Sequence, residues 1–266
     1  MAKPYLSVVI PAFNEEVRIQ RTLECIVEFL DAQSYSWEVV VANDGSTDAT
    51  ARLAGEVAAS RDDVIHLNLE HRGKGWAVKH GMLVATGQYR LLCDADMSVP
   101  IEQVNRLLPP ITLGADIAVG SREQTGSQRI GEPIYRHMMG RVYNSFVRTL
   151  AVPGLKDTQC GFKCYRGEIV SLLFGAQRIY GFAFDAEVIF LASKSGLNVQ
   201  EIGVDWYYAQ GSKVRPLTDS LVMTWDLLRI RWNHIRGRYS SFRTSIPVSY
   251  THLRAHETSL HLVCRL

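Results

Sequence analysis

A chain of 266 residues is long enough for one large α/β core, or for such a core with a small appended region. Hydrophobic content of 47% and charged content of 21% are ordinary for a globular protein, and a net charge of +2 gives no electrostatic case for binding nucleic acid. No uncharged apolar stretch reaches the ~18 residues of a spanning helix, and the run after Lys3 is broken at Pro11 and Asn14, so neither a transmembrane helix nor a signal peptide is expected.

In chain order, Leu6 to Ile10 is β-branched and apolar, a buried first strand closed by Pro11-Ala12-Phe13-Asn14. Val17, Ile19, Leu23, Ile26, Val27 and Leu30 then recur at helical spacing over 15–30. Trp37 to Val41 is a second strand leading into Asn43-Asp44-Gly45-Ser46-Thr47-Asp48, with Ser46, Thr47 or Asp48 as cap for a helix to about Ser60. Val64 to Leu69 is a third strand, and Gly73-Lys74-Gly75 opens a helix through Ala85 that Gly87 ends.

Leu91-Leu92-Cys93 is the fourth strand, and it delivers Asp94 and Asp96 at its C-terminal end. Alternating residues point to opposite sides of a strand, but where the chain turns both can converge on one cation. A hard divalent metal with oxygen ligands gives two repelling carboxylates a reason to sit there; a pair of solvated loop acids is the plain alternative. Another helix follows Pro100, and Ala115 to Val119 makes a fifth strand ending in Gly120-Ser121-Arg122.

Strands of about five residues alternating with longer helices predict βαβ units and a mostly parallel, Rossmann-like α/β sheet flanked by helices. Ligands gather outside the carboxyl ends of such strands. Asn14-Glu15, Asn43-Asp44, Asp94/Asp96 and Ser121-Arg122 all fall at those ends, which marks a binding edge.

From Gly126 to Val152, arginines at 129, 136, 141 and 148 interleave with apolar residues, as a basic amphipathic helix on a membrane surface or a core helix with solvated arginines would. Phe182 to Glu187 starts a helical run through Ala192, and Asn198 to Tyr208 reads as a late strand. Residues 213–243 hold seven Lys/Arg against Asp219 and Asp226, a second basic amphipathic segment suited to anionic headgroups. The five cysteines (Cys25, Cys93, Cys160, Cys164, Cys264) lack a zinc pattern and read as reduced thiols. Residues 247–266 follow no period and read as non-native sequence. The domain expectation is a large α/β unit over 1–210, which the resemblance given next implies is the catalytic domain, a basic amphipathic membrane-proximal segment over 211–246 and a functionless tail over 247–266.

Ser7 to Glu16, Asn43 to Asp48, Asp94-Ala-Asp-Met-Ser98 and Gly120-Ser-Arg122 together resemble the family 2 inverting glycosyltransferases of the GT-A fold. Asp157 to Lys163, Phe184-Asp-Ala-Glu187 and Gly211-Ser-Lys213 are similar to the branch that glycosylates polyprenyl phosphates, and match its dolichyl-phosphate β-glucosyl members better than its mannosyl members. The resemblance covers residues 5 to about 235 and rests on the order and spacing of these motifs together.

It implies a nucleotide-sugar donor, with Asp44 accepting hydrogen bonds from the nucleoside and Pro11, Ala12 and Glu15 shaping the same pocket. Asp94 and Asp96 would hold Mg²⁺ or Mn²⁺ against the donor diphosphate. Lys74 is a candidate at that edge or a solvated lysine. A phosphate monoester acceptor is already anionic, with a second pKa of about 6, so it needs positioning more than a base. Arginine forks suit that task. Arg122 is the first candidate, Arg136 the second, and Lys163 and Lys213 follow on motif grounds. Asp185 and Glu187 are candidates to touch the sugar or order the loop over it, with salt-bridge partnership as the alternative. The expectation is transfer of glucose from UDP-glucose to a polyprenyl phosphate by an enzyme attached peripherally to the cytoplasmic face of a membrane, with homo-oligomers possible. GDP-mannose as donor, a non-lipid hydroxyl as acceptor, and a non-catalytic nucleotide-sugar binder are the rival readings.

Overall fold

Continuous apolar runs become the strands of one sheet because both of its faces are covered. The computed structural model describes residues 3–133, 138, 140, 141, 144, 145, 147, 149, 154–208 and 216–240. The elements are β1 (Leu6–Ala12), α1 (Ile19–Asp31), β2 (Trp37–Asn43), α2 (Thr50–Ser60), β3 (Val64–Asn68), α3 (Lys74–Val84) and β4 (Tyr89–Cys93), then a 3-10 helix (Ile101–Arg106) and β5 (Ile117–Ser121). They continue with β6 (Arg129–Ile130), β7 (Phe162–Arg166), α4 (Gly167–Ala176), α5 (Phe184–Lys194), β8 (Val199–Gly203), β9 (Trp206–Tyr207) and α6 (Pro216–Ile235).

The seven-stranded sheet runs β3-β2-β1-β4-β7-β5-β8, and only β7 is antiparallel to its neighbours. All seven residues of β1 are buried, as its central place demands. Alternation splits the core in two. Val8 and Ile10 pack with Leu23 and Ile26 of α1, while Val9, Val40 and Leu92 join Val78 and Met82 of α3 and, further on, Phe190 and Leu227. The mostly parallel α/β sheet with flanking helices is as expected from the sequence.

Five local features differ. β7 lies inside a stretch read only as a motif; running antiparallel, it starts where β4 ends, with Phe162 opposite Cys93, and so brings residues 157–161 to the same sheet edge. The expected strand over 198–208 divides: β8 pairs with β5, and β9 pairs with β6 in a separate two-stranded sheet. The helix after Pro100 is a short 3-10 turn. The first helix begins at Ile19 because residues 15–16 are used in a loop, their amides donating to Thr50 Oγ1 (2.7 Å) and Asp48 Oδ2 (3.1 Å). The cap of α2 is Ala49 rather than Ser46, Thr47 or Asp48, although Asp48 Oδ1 does accept the Thr50 amide at 2.9 Å.

Within 126–152, Asn144 and Val147 are buried while Met138 and Arg141 face out. Arg136, Lys213 and the tail 247–266 lie outside the described residues. Among the described residues no helix is long and apolar enough to cross a membrane.

Candidate functional site

The chain reverses direction through the sheet between β1 and β4, so the loops after these strands diverge and leave a crevice at the carboxyl edge. An open cleft of about 1080 Å³ occupies it. Pro11, Ala12, Glu15, Asp44, Lys74, Asp94, Asp96, Arg122 and Asp185 all line this cleft. Nine positions singled out in sequence are thus brought together by the fold.

On the β1/β2 side the groups are held by backbone amides. Asp44, 2% exposed, accepts the amides of Arg72 (3.0 Å) and Gly73 (2.9 Å), and His71 Nδ1 sits 2.8 Å from its Oδ2. The His71 ring stacks on Phe13 with centroids 4.2 Å apart, a planar wall of the cleft. Asn14 adopts a positive φ of 52°, tolerated by its short polar side chain, and its Oδ1 accepts the Thr47 amide at 2.8 Å. Ser46 Oγ in turn accepts the Asn14 amide at 2.9 Å, so the loops after β1 and β2 fix one another. Glu15 pairs with Arg18 at 2.9 Å.

At the centre Lys74 Nζ lies 2.7 Å from Asp94 Oδ1. Burial works against the charge on Lys74, but the carboxylates of Asp94, Asp185 and Asp96 outweigh it and hold the ammonium above its ordinary pKa. The glycines flanking Lys74 are sterically required: a Cβ on Gly73 would meet the Tyr180 carbonyl oxygen at 2.6 Å, and one on Gly75 would meet Phe184 Cβ at 2.7 Å. Gly75 donates its amide to Tyr180 O at 2.7 Å, which seats the start of α3 on the loop before α5. Asp96 accepts the Ser98 amide at 2.9 Å around Met97, whose φ of 47° turns the chain sharply. Gly161, delivered by β7, abuts the Asp94 carboxylate so closely that any side chain there would displace it.

On the far side the charges are paired with each other. Arg122 Nε and Nη2 grip Asp157 at 2.6 and 3.0 Å, and the guanidinium lies 5.5 Å from the Trp206 ring. Against the upward push of burial, Arg122 holds Asp157 well below the usual carboxylate range. Lys163, fully buried, directs Nζ to Asp185 Oδ1 and to the Cys160 carbonyl, both at 2.6 Å. Lys163 does not line the cleft; it is the counter-ion of Asp185 rather than a group aimed at a ligand. Burial still pushes Asp185 above its ordinary value, with Lys163 and Lys74 offsetting part of the rise. Glu187 is buried away from the cleft, where its Oε2 accepts the amides of Arg178 (2.9 Å) and Ile179 (2.8 Å), so it orders the loop rather than lining the cavity.

Sequence reasoning passed over His71, Phe13, Gly161 and Arg129 as site residues. Arg129 reaches the cleft between Glu123 (2.5 Å) and Glu132 (2.6 Å). The signal for His71 was its place two residues before Gly73. Cys160 also lines the cleft, where burial and Asp157 push its thiol up to about 12, which keeps it neutral.

Asp94 and Asp96 supply hard oxygen donors, and Asp94, whose seat Gly161 leaves open, already draws the partly exposed Lys74 ammonium, which marks its carboxylate as a place for positive charge. Among the described residues no group of three or more His, Cys, Asp or Glu could hold a metal by itself. The residues therefore fit a cation shared with a bound ligand.

Comparison with known proteins agrees with this geometry. Residues 7–172 match the model of glycosyl transferase family 2. The chain is 35% identical to a dolichyl-phosphate β-glucosyltransferase of Dictyostelium discoideum, over 88% of this chain and 76% of that protein. It is 32% identical to the human protein of that name, over 88% and 77% respectively. Among solved structures it resembles glucosyl-3-phosphoglycerate synthase of Mycobacterium tuberculosis, determined with Mn²⁺, UDP and glucosyl-3-phosphoglycerate: TM-score 0.59, 18% identity, 86% of this chain and 78% of that one. With its cleft at the carboxyl edge of a GT-A sheet, the chain belongs to glycosyl transferase family 2 and is a glycosyltransferase similar to the dolichyl-phosphate β-glucosyltransferases.

Proposed function

We propose that the enzyme transfers glucose from UDP-glucose to a polyprenyl, dolichyl-type phosphate with inversion at the anomeric carbon. The observation that carries this reading is the Lys74–Asp94 pair beside Asp96 in a cleft whose relatives are named dolichyl-phosphate β-glucosyltransferases. Asp94 and Asp96 would hold Mg²⁺ or Mn²⁺, and that cation would supply Lewis-acid neutralisation of charge gathering on the departing diphosphate. The mycobacterial synthase, which shares the fold and was determined with Mn²⁺ and UDP, supports the same donor chemistry.

The protein's own residues have distinct tasks in this reading. The Phe13–His71 wall and Asp44, fixed by the 72–73 amides, hold the nucleoside. Lys74 stays protonated at neutral pH and meets the diphosphate. Asp185, anchored by Lys163, accepts hydrogen bonds from the sugar hydroxyls. The acceptor phosphate brings its own nucleophilic oxygen and needs no general base; Arg122, held by Asp157, positions it against electrostatic repulsion from the donor.

The test is a transfer assay with labelled UDP-glucose and GDP-mannose, each with and without a polyprenyl phosphate and Mg²⁺. Lipid-soluble label from UDP-glucose, requiring both lipid and metal, is expected. Label from GDP-mannose alone would overturn the donor, and transfer without lipid would overturn the acceptor.

A further inference from the structure

Helix α6 has its faces the wrong way round for a protein surrounded by water. Its buried side carries Met223, Leu227 and Ile230. Its outward side is also apolar: Leu221 is 74% exposed, Trp225 64%, Leu228 45%, Trp232 53% and Ile235 76%. Successive members are four and three residues apart, so they form one stripe along the helix, roughly 21 Å long at 1.5 Å per residue. At about 100° per residue, Arg229 and Arg236 border one edge of the stripe and Arg231 the other. Arg236 stacks on Trp232 at 4.4 Å, with its charge at the rim of the apolar surface.

We propose that this stripe lies in the headgroup region of an anionic phospholipid membrane, with Trp225 and Trp232 inserted and the arginines on lipid phosphates. The inference rests on the acceptor being lipid-borne as read above, and it names the surface that brings the enzyme to that acceptor. Three observations favour a membrane over a second copy of the chain. Amphipathic tryptophans flanked by arginine match an interface that is apolar below and anionic above. Asp226, the one acid of α6 whose side chain is described, turns inward onto Arg229 at 2.7 Å, so among the described side chains a symmetric helix pair would set the arginines at the stripe's edges near one another with no outward-facing acid of α6 between them. The same helix reaches the cleft, where Thr218, Ser220 and Met223 line the wall, so a carrier lying in the membrane would enter beside the site.

The experiment is flotation of the full chain with vesicles that contain no polyprenyl phosphate, made of phosphatidylcholine alone or mixed with phosphatidylglycerol. The wild type is expected to float with the anionic vesicles with a blue shift in tryptophan emission. Trp225→Gln/Trp232→Gln is expected to keep its melting temperature and lose at least about tenfold in vesicle affinity. Arg231→Gln/Arg236→Gln is expected to lose affinity for the anionic vesicles only, by about fivefold per arginine. Wild-type protein that ignores both vesicles, or a tryptophan variant that floats equally well, would overturn the proposal. So would a wild-type dimer that the tryptophan variant splits while neither floats, since a second copy would then cover the stripe. Vesicle binding lost in the tryptophan variant, together with no transfer to a short-chain, water-soluble polyprenyl phosphate by either protein, would support the membrane surface and overturn the function reading instead.

Discussion

The two walls of the cleft are built on different physics. On the wall from β1 and β2, polar side chains are satisfied by nearby backbone: Asp44 takes two amides of residues 72–73, and Asn14 and Ser46 exchange hydrogen bonds with each other's loops. On the opposite wall, charges are neutralised by other charges far along the chain, Arg122 by Asp157 and Lys163 by Asp185. Backbone amides are fixed by the fold and need no partner residue to be retained. Buried ion pairs are mutually dependent, and losing either member strands the other. The first wall should therefore tolerate single substitutions in stability while losing activity, and the second should lose stability first.

The largest expected effect breaks function without touching that stability. Asp96 is half-buried and makes one local hydrogen bond, to the Ser98 amide. Asp96→Ala should lower transfer by about 10³-fold, the equivalent of several kcal/mol of charge stabilisation, with a melting temperature close to wild type. Near-wild-type turnover would remove Asp96 from the metal role.

Asp157→Ala makes the opposite case. It leaves the mostly buried Arg122 guanidinium, 17% exposed at the cleft wall, without its carboxylate, and about 3 kcal/mol of stability should be lost in denaturant titration, the low end for a stranded buried charge. Arg122→Met/Asp157→Leu should recover much of that loss, because both charges leave together, while activity stays absent. If the double variant is no more stable than Asp157→Ala, the pair is not the unit that matters. The pH dependence has a definite sign. Asp157 is depressed far below its ordinary 3.8, so its contribution is present above that value and is lost as pH falls below it. Asp157→Asn should flatten the acid limb of the stability profile below about pH 4.

This contrast also separates what could be read from the sequence from what could not. Asp44, Asp94 and Arg122 each sit just past an apolar run, so their place at the sheet edge followed from periodicity. Lys163 shows the limit. It sits inside Phe162-Lys163-Cys164-Tyr165-Arg166, and a lysine there argues against a central strand until Asp185, 22 residues later, supplies its counter-charge. The same fact changes its reading from a ligand-facing cation to a buried structural one. Helix α6 was legible as basic and amphipathic, but Leu221, Trp225, Leu228 and Trp232 are interleaved with Met223, Leu227 and Ile230. Only packing against α5 tells the outer stripe from the inner one.

The smallest of these effects tests whether the loop between α4 and α5 transmits the second wall's stability to the first. Glu187 is fully buried, and its Oε1 accepts the Tyr239 hydroxyl at 2.5 Å while Oε2 holds the amides of Arg178 and Ile179. One residue further, the Tyr180 carbonyl anchors the turn that carries Lys74. Tyr239→Phe leaves a buried carboxylate oxygen without its donor and should cost about 1–3 kcal/mol, lowering the melting temperature by several degrees. Burial already raises Glu187 above its ordinary 4.5, and the Tyr239 bond partly offsets that rise. The variant should raise it further, so the ionic part of the stability gap to wild type should shrink as pH falls through the two raised folded-state values, both above 4.5, and be closed at lower pH, where the carboxyl is protonated in both proteins. If the loop transmits the loss, the KM for donor should also rise a few-fold, because Lys74 is less firmly seated, with kcat little changed. A stability loss with unchanged KM would confine Glu187 to the core and leave the two walls independent.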